Sequence, residues 1–295
     1  MRKLVFVSGD FSSGSSLLFT LFRKTEEYYC LYEPLHERLP EYLIWPLSVY
    51  EHHFFVENYF AEYKGFERVP ELFDPGWGSS NLHLAAEDEA EDLYRYVSYL
   101  IEAASAHSEK VVLKFNRATF RLGWMRRRFP EATILHIYRP KEKQWNSIVR
   151  RAQAHLGRED VGQDRVDFNG MNIARWCEDL KRVFPELQAV SSESGFERFG
   201  KLYDLSFREH KKYSELSVNF EELTTDFERV CREIWDCVGC SVDPSRLKQF
   251  VVHPDAQRPL VGRRHGWRAR LHDVVDRIGV KQARVRLRLR KLLDR

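Results

Sequence analysis

Short apolar runs alternate along the chain with longer stretches in which apolar residues recur at helical spacing. This alternation is typical of βαβ units, in which parallel strands form a central sheet covered by helices. Helical spacing falls at about 15–24, 88–106, 121–129, 141–156, 171–188, 196–212 and 225–238. The predicted strands are Leu4–Ser8, Tyr29–Tyr32, Val111–Phe115, Thr133–Tyr138 and Leu216–Phe220. We therefore expect an α/β fold, a single domain with a central, mainly parallel sheet flanked by helices.

Residues 38–81 interrupt this alternation and are dense in aromatic side chains. An ordered insertion of this length between two sheet strands usually has a function. Two interpretations stay open: a lid over an acceptor site, and a helical region that uses the rings as its own core. The two are compatible.

A loop of glycine and serine follows the first predicted strand and leads into an amphipathic helix. Such a loop points several backbone N–H groups and a helix N-terminus at one place, which favours an anion there. Gly14 lets the backbone approach a phosphate, and Ser13, Ser15 and Ser16 add hydroxyl donors. The alternative is a serine-rich helix cap without a ligand.

The same loop has the G-x-x-x-x-G spacing of the P-loop, from Gly9 to Gly14, but Ser15 stands in place of the lysine. That lysine holds the β- and γ-phosphates of a nucleoside triphosphate during phosphoryl transfer. Its absence disfavours a P-loop kinase or NTPase, which we keep as an alternative, and leaves a site for one terminal phosphate.

A second candidate anion site follows the fourth predicted strand, which ends at Arg139 and Pro140. Open α/β sheets bind their ligands at the carboxyl ends of strands. Ser147 follows eight residues after Arg139, about two turns into the next helix, where its hydroxyl can turn back to the same place. A guanidinium and a hydroxyl suit a phosphate monoester. The alternative is an ordinary surface arginine and serine.

Together the two sites resemble those of sulfotransferases that use PAPS (3′-phosphoadenosine 5′-phosphosulfate). The serine loop is similar to the 5′-phosphosulfate loop of that family, and Arg139 with Ser147 resembles its 3′-phosphate motif. Residues 32–37 are similar to the Glu-Pro segment of carbohydrate sulfotransferases, and residues 216–239 to a late strand and helix of the family. The resemblance covers about residues 3–240 and implies a P-loop-like sulfotransferase fold.

The resemblance also implies roles for individual residues. PAPS is the expected donor and PAP the product, and no metal is required. The general base is expected to be Glu33 or His36, and either Lys114 or Arg117 is expected to face the sulfate. The residues expected to bind the nucleotide are Ser12, Ser13, Gly14, Ser15, Ser16, Arg139, Ser147 and Phe220.

Ser12 departs from the family pattern, because a lysine or arginine normally stands at that position and neutralises the leaving phosphate. Losing one such contact costs about 10²–10³ in rate when nothing replaces it. Lys114 is the first candidate to supply the missing charge. Without a substitute, the protein would bind the nucleotide and remain catalytically silent, which is a second alternative.

The acceptor implied by the Glu33-Pro34 resemblance and the aromatic insertion is a hydroxyl, or an amine, of a glycan, a glycolipid or another small molecule. The composition is that of a soluble, core-forming chain, with 43% hydrophobic and 31% charged residues. No apolar run approaches the roughly 20 residues that cross a bilayer. The short apolar start and an odd number of cysteines, five, favour a cytoplasmic protein.

Charge divides the chain into an acidic part and a basic tail. Residues 263–295 hold 12 of the 47 lysines and arginines but only 3 of the 44 acidic residues, which leaves 35 basic and 41 acidic groups in residues 1–262. We predict a sulfotransferase-like domain over 1–262 and a helical tail over 263–295. Basic and apolar residues from 267 to 295 suit an acidic glycan or an anionic membrane surface, and the latter would place the protein on the inner membrane face. Packing of the tail on the domain is the alternative, and the acidic part disfavours nucleic acid as a partner.

Overall fold

The computed structural model of the chain describes residues 3–44, 58–156, 173–188 and 194–251. Within these residues the architecture is one five-stranded sheet in which every pair of neighbouring strands is parallel, in the order β2-β3-β1-β4-β5. The strands are β1 (Lys3–Ser8), β2 (Tyr29–Tyr32), β3 (Lys110–Phe115), β4 (Ala132–Tyr138) and β5 (Leu216–Asn219). The α/β prediction with a parallel sheet is confirmed.

The helices connect the strands and cover the sheet. The described α-helices are α1 (Ser15–Lys24), α2 (Leu39–Ile44), α3 (Val69–Leu72), α4 (Glu91–Ser105), α5 (Leu122–Arg128), α6 (Lys141–Leu156), α7 (Ile173–Leu180), α8 (Gly195–Tyr213), α9 (Phe220–Thr225) and α10 (Phe227–Val238). Short 3₁₀ helices lie at Ala61–Tyr63, Pro75–Gly78, Thr119–Arg121, Pro185–Leu187 and Pro244–Phe250.

The central position of β1 explains its sequence. This strand pairs with β3 on one side and β4 on the other, and Leu4, Val5, Phe6 and Val7 are all buried. A parallel strand covered by helices on both faces needs a continuous apolar run rather than an alternating one. The chain therefore leaves the middle of the sheet at Ser8, directly beneath the glycine and serine loop.

Two predicted elements differ from the structure. The predicted strand Leu216–Phe220 ends one residue earlier, because the Asn219 side chain accepts a hydrogen bond from the Glu221 backbone and caps a new helix. The single helix predicted over 171–188 is α7 followed by a separate 3₁₀ turn at Pro185–Leu187. Proline lacks the N–H that a continuing helix requires.

The aromatic insertion joins the main core. In its described parts, residues 38–44 and 58–81, the rings of Tyr59, Phe60 and Tyr63 are buried in the same apolar cluster as α1 and the sheet. The Tyr59 ring lies 4.3 Å from that of Tyr32 at the end of β2. These rings therefore fasten the insertion to the sheet edge. A lid function for the insertion stays a prediction.

The chain divides into a unit of Met1–His253 and a second unit of Pro254–Arg295. The predicted tail, 263–295, and its boundary at residue 262 lie outside the described residues and stay predictions. Among the described helices, none combines the length and the apolar character that crossing a bilayer would require.

Candidate functional site

The loop between β1 and α1 has two positions at which a side chain larger than that of glycine would not fit. Gly14 is the N-cap of α1 with φ 98°, and Ser12 also has a positive φ of 63°. A Cβ atom at Gly14 would lie 1.9 Å from the Phe220 ring, and a Cβ atom at Gly9 would lie 2.5 Å from the Ile137 carbonyl oxygen. The loop is therefore held tightly between the ends of β4 and α9.

The serine side chains of the loop fall into two pairs. The Ser12 and Ser13 hydroxyls are buried and have no hydrogen-bond partner. Ser15 donates to the Asn116 side-chain oxygen at 2.9 Å, and Ser16 is hydrogen-bonded to the Tyr32 hydroxyl at 2.8 Å. The first N–H groups of α1 have no acceptor within the helix, and Gly14 provides no side-chain cap.

Unpaired buried hydroxyls cost about 1–3 kcal/mol each. A phosphate or sulfate oxygen beside Ser12 and Ser13 would accept hydrogen bonds from both side chains and from the start of α1. The residues present therefore fit an anionic group.

The Phe220 ring lies between Arg139 and this loop. The guanidinium carbon of Arg139 is 4.3 Å from the centre of the Phe220 ring, and the Phe220 ring contacts Gly14. Arg139 is 7% exposed, and its Nη2 lies 3.0 Å from the Glu221 carboxylate. The structure thus brings together three residues that the sequence placed in one site.

Glu221 is the present partner of Arg139 and also accepts from Lys143 at 3.0 Å. Burial raises the pKa of Glu221, but the hydrogen bonds and charges of Lys143 and Arg139 outweigh burial and lower it overall. A phosphate arriving at Arg139 would share the guanidinium with this carboxylate. Ser147 is largely buried in the second turn of α6; its contact with a phosphate stays a prediction.

A second group of charged residues lies at the ends of β2 and β3. The Glu33 carboxylate pairs with Lys114 through Oε1 and with Arg117 through Oε2, the latter at 3.2 Å. The Asn116 backbone N–H donates to Glu33 Oε2 at 3.2 Å, and the Glu33 N–H donates to the Lys114 carbonyl at 2.8 Å. All three charged side chains are almost fully buried. Because β2 and β3 are neighbours, Tyr32 is in register with Lys114, and this places Glu33 beside the lysine.

Asn116 links this charged group to the phosphate loop. Its Oδ1 accepts from Lys114 Nζ at 2.8 Å and from Ser15 Oγ at 2.9 Å. Asn116 was not among the residues singled out from the sequence. Its position two residues after Lys114, at the same sheet edge as the loop, is the signal that would have found it.

Lys114 has an unusual environment for a cation. Burial lowers its pKa to about 8, although the adjacent Glu33 acts in the opposite direction. The charges of Arg117 and Arg151 lower that pKa further. Arg151 lies on α6, four residues after Ser147, and so on the same side of that helix. It is a second cation near the loop that sequence reasoning missed.

His36, the other predicted base, lies three residues after Glu33. Its Nδ1 accepts from the Arg38 N–H at 3.1 Å, and the Glu37 carboxylate, 3.7 Å from that nitrogen, accepts from Arg117 at 2.9 Å. Burial, together with the charges of Arg117 and Arg38, lowers the pKa of His36 well below its usual range. Burial raises the pKa of Glu37. Of the two candidate bases, Glu33 is the one that is connected to the loop, through Lys114 and Asn116.

Comparison with known proteins adds the family. The sequence model described as "Sulfotransferase family" matches residues 5–244. No curated protein matches the sequence.

Two solved structures are similar to the chain. A sulfotransferase from Alicyclobacillus acidocaldarius shares 16% identity over 88% of this chain and 87% of its own, with a TM-score of 0.43. Sulfotransferase STF9 from Mycobacterium avium shares 12% identity over 87% of this chain and 69% of its own, with a TM-score of 0.48.

Proposed function

The chain belongs to the sulfotransferase family, and on that premise we propose that it transfers a sulfuryl group from PAPS to an acceptor hydroxyl. The observation that carries the proposal is the contact of Gly14 with the Phe220 ring and of that ring with Arg139. It supports two anion sites separated by one aromatic side chain. Among common adenosine nucleotides, PAPS and PAP carry phosphate groups at both ends that such a pair of sites would bind.

The donor would be held at its two ends. Ser12, Ser13 and the start of α1 supply donors for the phosphosulfate, and Arg139 with Ser147 binds the 3′-phosphate. Arg139 covers one face of Phe220 and the ring is 2% exposed, so a purine would have to displace a neighbour of that ring to pack against it.

Lys114 is the proposed substitute for the cation that Ser12 lacks. Through Asn116 it is connected to Ser15 of the loop by two hydrogen bonds. A positive charge in a water-excluded site stabilises the charge that develops on the leaving phosphate more strongly than one in water. Arg151 adds a second positive charge in the same region.

Glu33 is the proposed general base. As the acceptor oxygen attacks sulfur in line with the bond that breaks, its proton passes to the Glu33 carboxylate, and the bonding electrons of the old S–O bond remain on the phosphate of PAP. Lys114 and Arg117 fix the carboxylate in place, so one of its hydrogen bonds must yield to the acceptor. The acceptor is proposed to be a glycan, a glycolipid or another small alcohol.

One alternative has a specific observation in its favour. Both Glu33 oxygens are already engaged by cations or an N–H group, and Ser12 carries no charge. A nucleotide-binding protein without transfer activity would show the same features. Binding of PAP with no transfer to any acceptor would identify it.

Thermal unfolding with PAP tests the donor site. We expect PAP to raise the melting temperature of the wild-type protein, and Arg139→Ala to abolish most of that increase. Arg182→Ala is the matched control, because Arg182 is exposed and its ion-pair partner among the described residues is Asp179, three residues earlier. An equal PAP shift in wild type and Arg139→Ala would refute the assignment, and stabilisation by Mg-ATP instead of PAP would favour a kinase or NTPase.

A further inference from the structure

A small cavity lies between α6, α7 and α8, next to the segment that follows β1. Its volume is about 20 Å³, and most of its wall is apolar. Rings from Phe11, Phe120, Trp176 and Tyr203 contribute to the wall, and the polar members are Asp10 and Gln144. A cavity needs about 10–15 Å³ to hold one water molecule, so this one has room for one group of that size.

Gln144 is the residue that makes the cavity informative. Its side chain is buried, with 1% exposure, and neither Oε1 nor Nε2 has a hydrogen-bond partner. An amide offers two donors and two lone pairs. Leaving both ends unpaired in an apolar wall is unfavourable. The site therefore calls for an occupant that both donates and accepts.

The chemical class of the occupant can be inferred by asking which polar atoms of the cavity each kind of group would leave without a hydrogen bond. An ammonium has only donors and would leave Gln144 Nε2 without a partner. A carboxylate has only acceptors and would meet the negative charge of Asp10. A methyl group would satisfy neither atom of the amide. A hydroxyl, like a water molecule, accepts from Nε2 and donates to Oε1 or to Asp10, so it satisfies the site.

The other polar wall atoms are already engaged, which leaves Gln144 as the main partner. The Tyr203 hydroxyl donates to the Arg139 carbonyl at 2.7 Å. The Asp10 carboxylate accepts from Thr119 at 3.2 Å and from Ser206. Asp10 oxygens retain further lone pairs, since each carboxylate oxygen accepts more than one hydrogen bond.

Phe11 connects this cavity to the reaction site. One contact of its ring is with Trp176 in the cavity wall, at 5.0 Å between ring centres. Another is with Arg117, whose guanidinium carbon is 5.0 Å from the ring centre and which binds Glu33. Phe11 also directly precedes Ser12 of the phosphate loop. An acceptor whose reacting hydroxyl lies at Glu33 is therefore separated from the cavity by the side chain of Phe11.

We propose, resting on the proposed function, that this cavity binds a second, non-reacting hydroxyl of the acceptor. Because the aromatic ring of Phe11 lies between the cavity and Arg117, the part of the acceptor that joins its two hydroxyls would be apolar or aromatic. The cavity holds one small group, so the inference narrows the acceptor class to alcohols that carry a second hydroxyl at the far end of such a body.

The experiment observes the Gln144 side-chain amide directly by ¹⁵N–¹H NMR of the full chain saturated with PAP. Phenol is the probe, with toluene and benzylammonium as comparators that replace the hydroxyl by a methyl and by a cation. The Gln144 signal is identified by its loss in Gln144→Leu, and Gln188→Leu is the control at an exposed position. We expect phenol to shift the Gln144 signal and to bind at least about tenfold more tightly than toluene. In Gln144→Leu we expect that preference to disappear.

A Gln144 signal that phenol leaves unchanged, while it shows a cross-peak to water, would mean that the cavity holds water only and would overturn the proposal. Equal effects of phenol, toluene and benzylammonium would overturn it as well. The PAP-dependent rise in melting temperature is measured on the same samples. If that rise is present and phenol has no effect, the hydroxyl subsite fails alone; if the rise is absent, the proposed function fails.

Discussion

At the scale of single residues, the buried Lys114 carries the clearest consequence for activity. Its pKa is lowered to about 8 by burial, so in the unliganded enzyme it loses its proton as the pH rises through that value. A neutral amine does not stabilise the leaving phosphate. We therefore expect kcat/KM to decrease as the pH rises through about 8.

Lys114→Arg is the variant that tests this assignment, because a guanidinium stays protonated throughout this range. The alkaline decrease should move to higher pH in the variant, even if its rate is lower overall. A pH profile of kcat/KM with radiolabelled PAPS measures the shift. An alkaline limb at the same pH in wild type and Lys114→Arg would assign that titration to another group.

Gly14 and Gly65 form a matched pair that separates backbone strain from steric overlap. Both have positive φ, 98° and 89°, but a Cβ atom at Gly14 meets the Phe220 ring, whereas nothing lies within 4 Å of one at Gly65. Gly65→Ala should cost about 1 kcal/mol of unfolding free energy from backbone strain alone. Gly14→Ala should cost more and should also remove stabilisation by PAP. Urea unfolding with and without PAP measures both effects, and similar losses in the two variants would contradict the role of Phe220 in shaping the loop.

At the scale of elements, α8 is joined to the sheet through a pair of buried histidines. His210 on α8 and His136 on β4 stack with ring centres 3.9 Å apart. His210 Nδ1 donates to the Ser206 carbonyl at 2.9 Å, so its Nε2 accepts from Ser8 at the end of β1, also at 2.9 Å. Burial lowers the pKa of both rings. The folded protein thus keeps both histidines neutral.

This pair predicts that stability decreases in acid. The unfolded chain binds protons at these histidines below about pH 6.5, whereas the folded chain does not, so unfolding becomes more favourable as the pH decreases through that value. The stabilisation is complete above this range. Melting temperatures between pH 7.5 and 5 measure the slope, which should be smaller in His136→Phe than in wild type. An unaltered slope in His136→Phe would exclude the pair as its cause.

The elements also show how much the sequence could predict. Apolar runs such as Leu4–Val7 predict buried strands because they are continuous, and all five strands lie where this pattern indicates. The ends of elements are predicted less well than their positions. The Asn219 cap ends β5 one residue earlier than predicted, and Pro185 begins a separate 3₁₀ turn within a predicted helix. The pairing of Glu33 with Lys114 joins residues 81 apart and depends on β2 lying beside β3. Strand order depends on the packing of the whole chain. The sequence therefore identifies both residues as candidates but does not predict that they are in contact.

At the scale of the whole molecule, the uneven charge predicts where the protein binds. The tail, 263–295, lies outside the described residues and carries a large excess of basic side chains. Each basic residue near an anionic membrane surface contributes about 1 kcal/mol. We expect the full chain to co-sediment with vesicles that contain phosphatidylserine and not with neutral phosphatidylcholine vesicles. A chain that ends at residue 277 should remain in the supernatant with both.

High salt is the control for this electrostatic binding, because screening weakens it. Co-sedimentation of the shortened chain, or equal binding to both kinds of vesicle, would show that the tail is not the membrane-binding segment.

The central place of β1 also affects how the chain folds during synthesis. The strand is synthesised well before its two neighbours, which begin only at Lys110 and Ala132. Until those arrive, Leu4–Val7 is an unpaired apolar edge of the kind that promotes aggregation. The phosphate loop can take shape only once both flanking strands have docked, so nascent chains that end before β4 depend on protection from chaperones rather than on their own sheet.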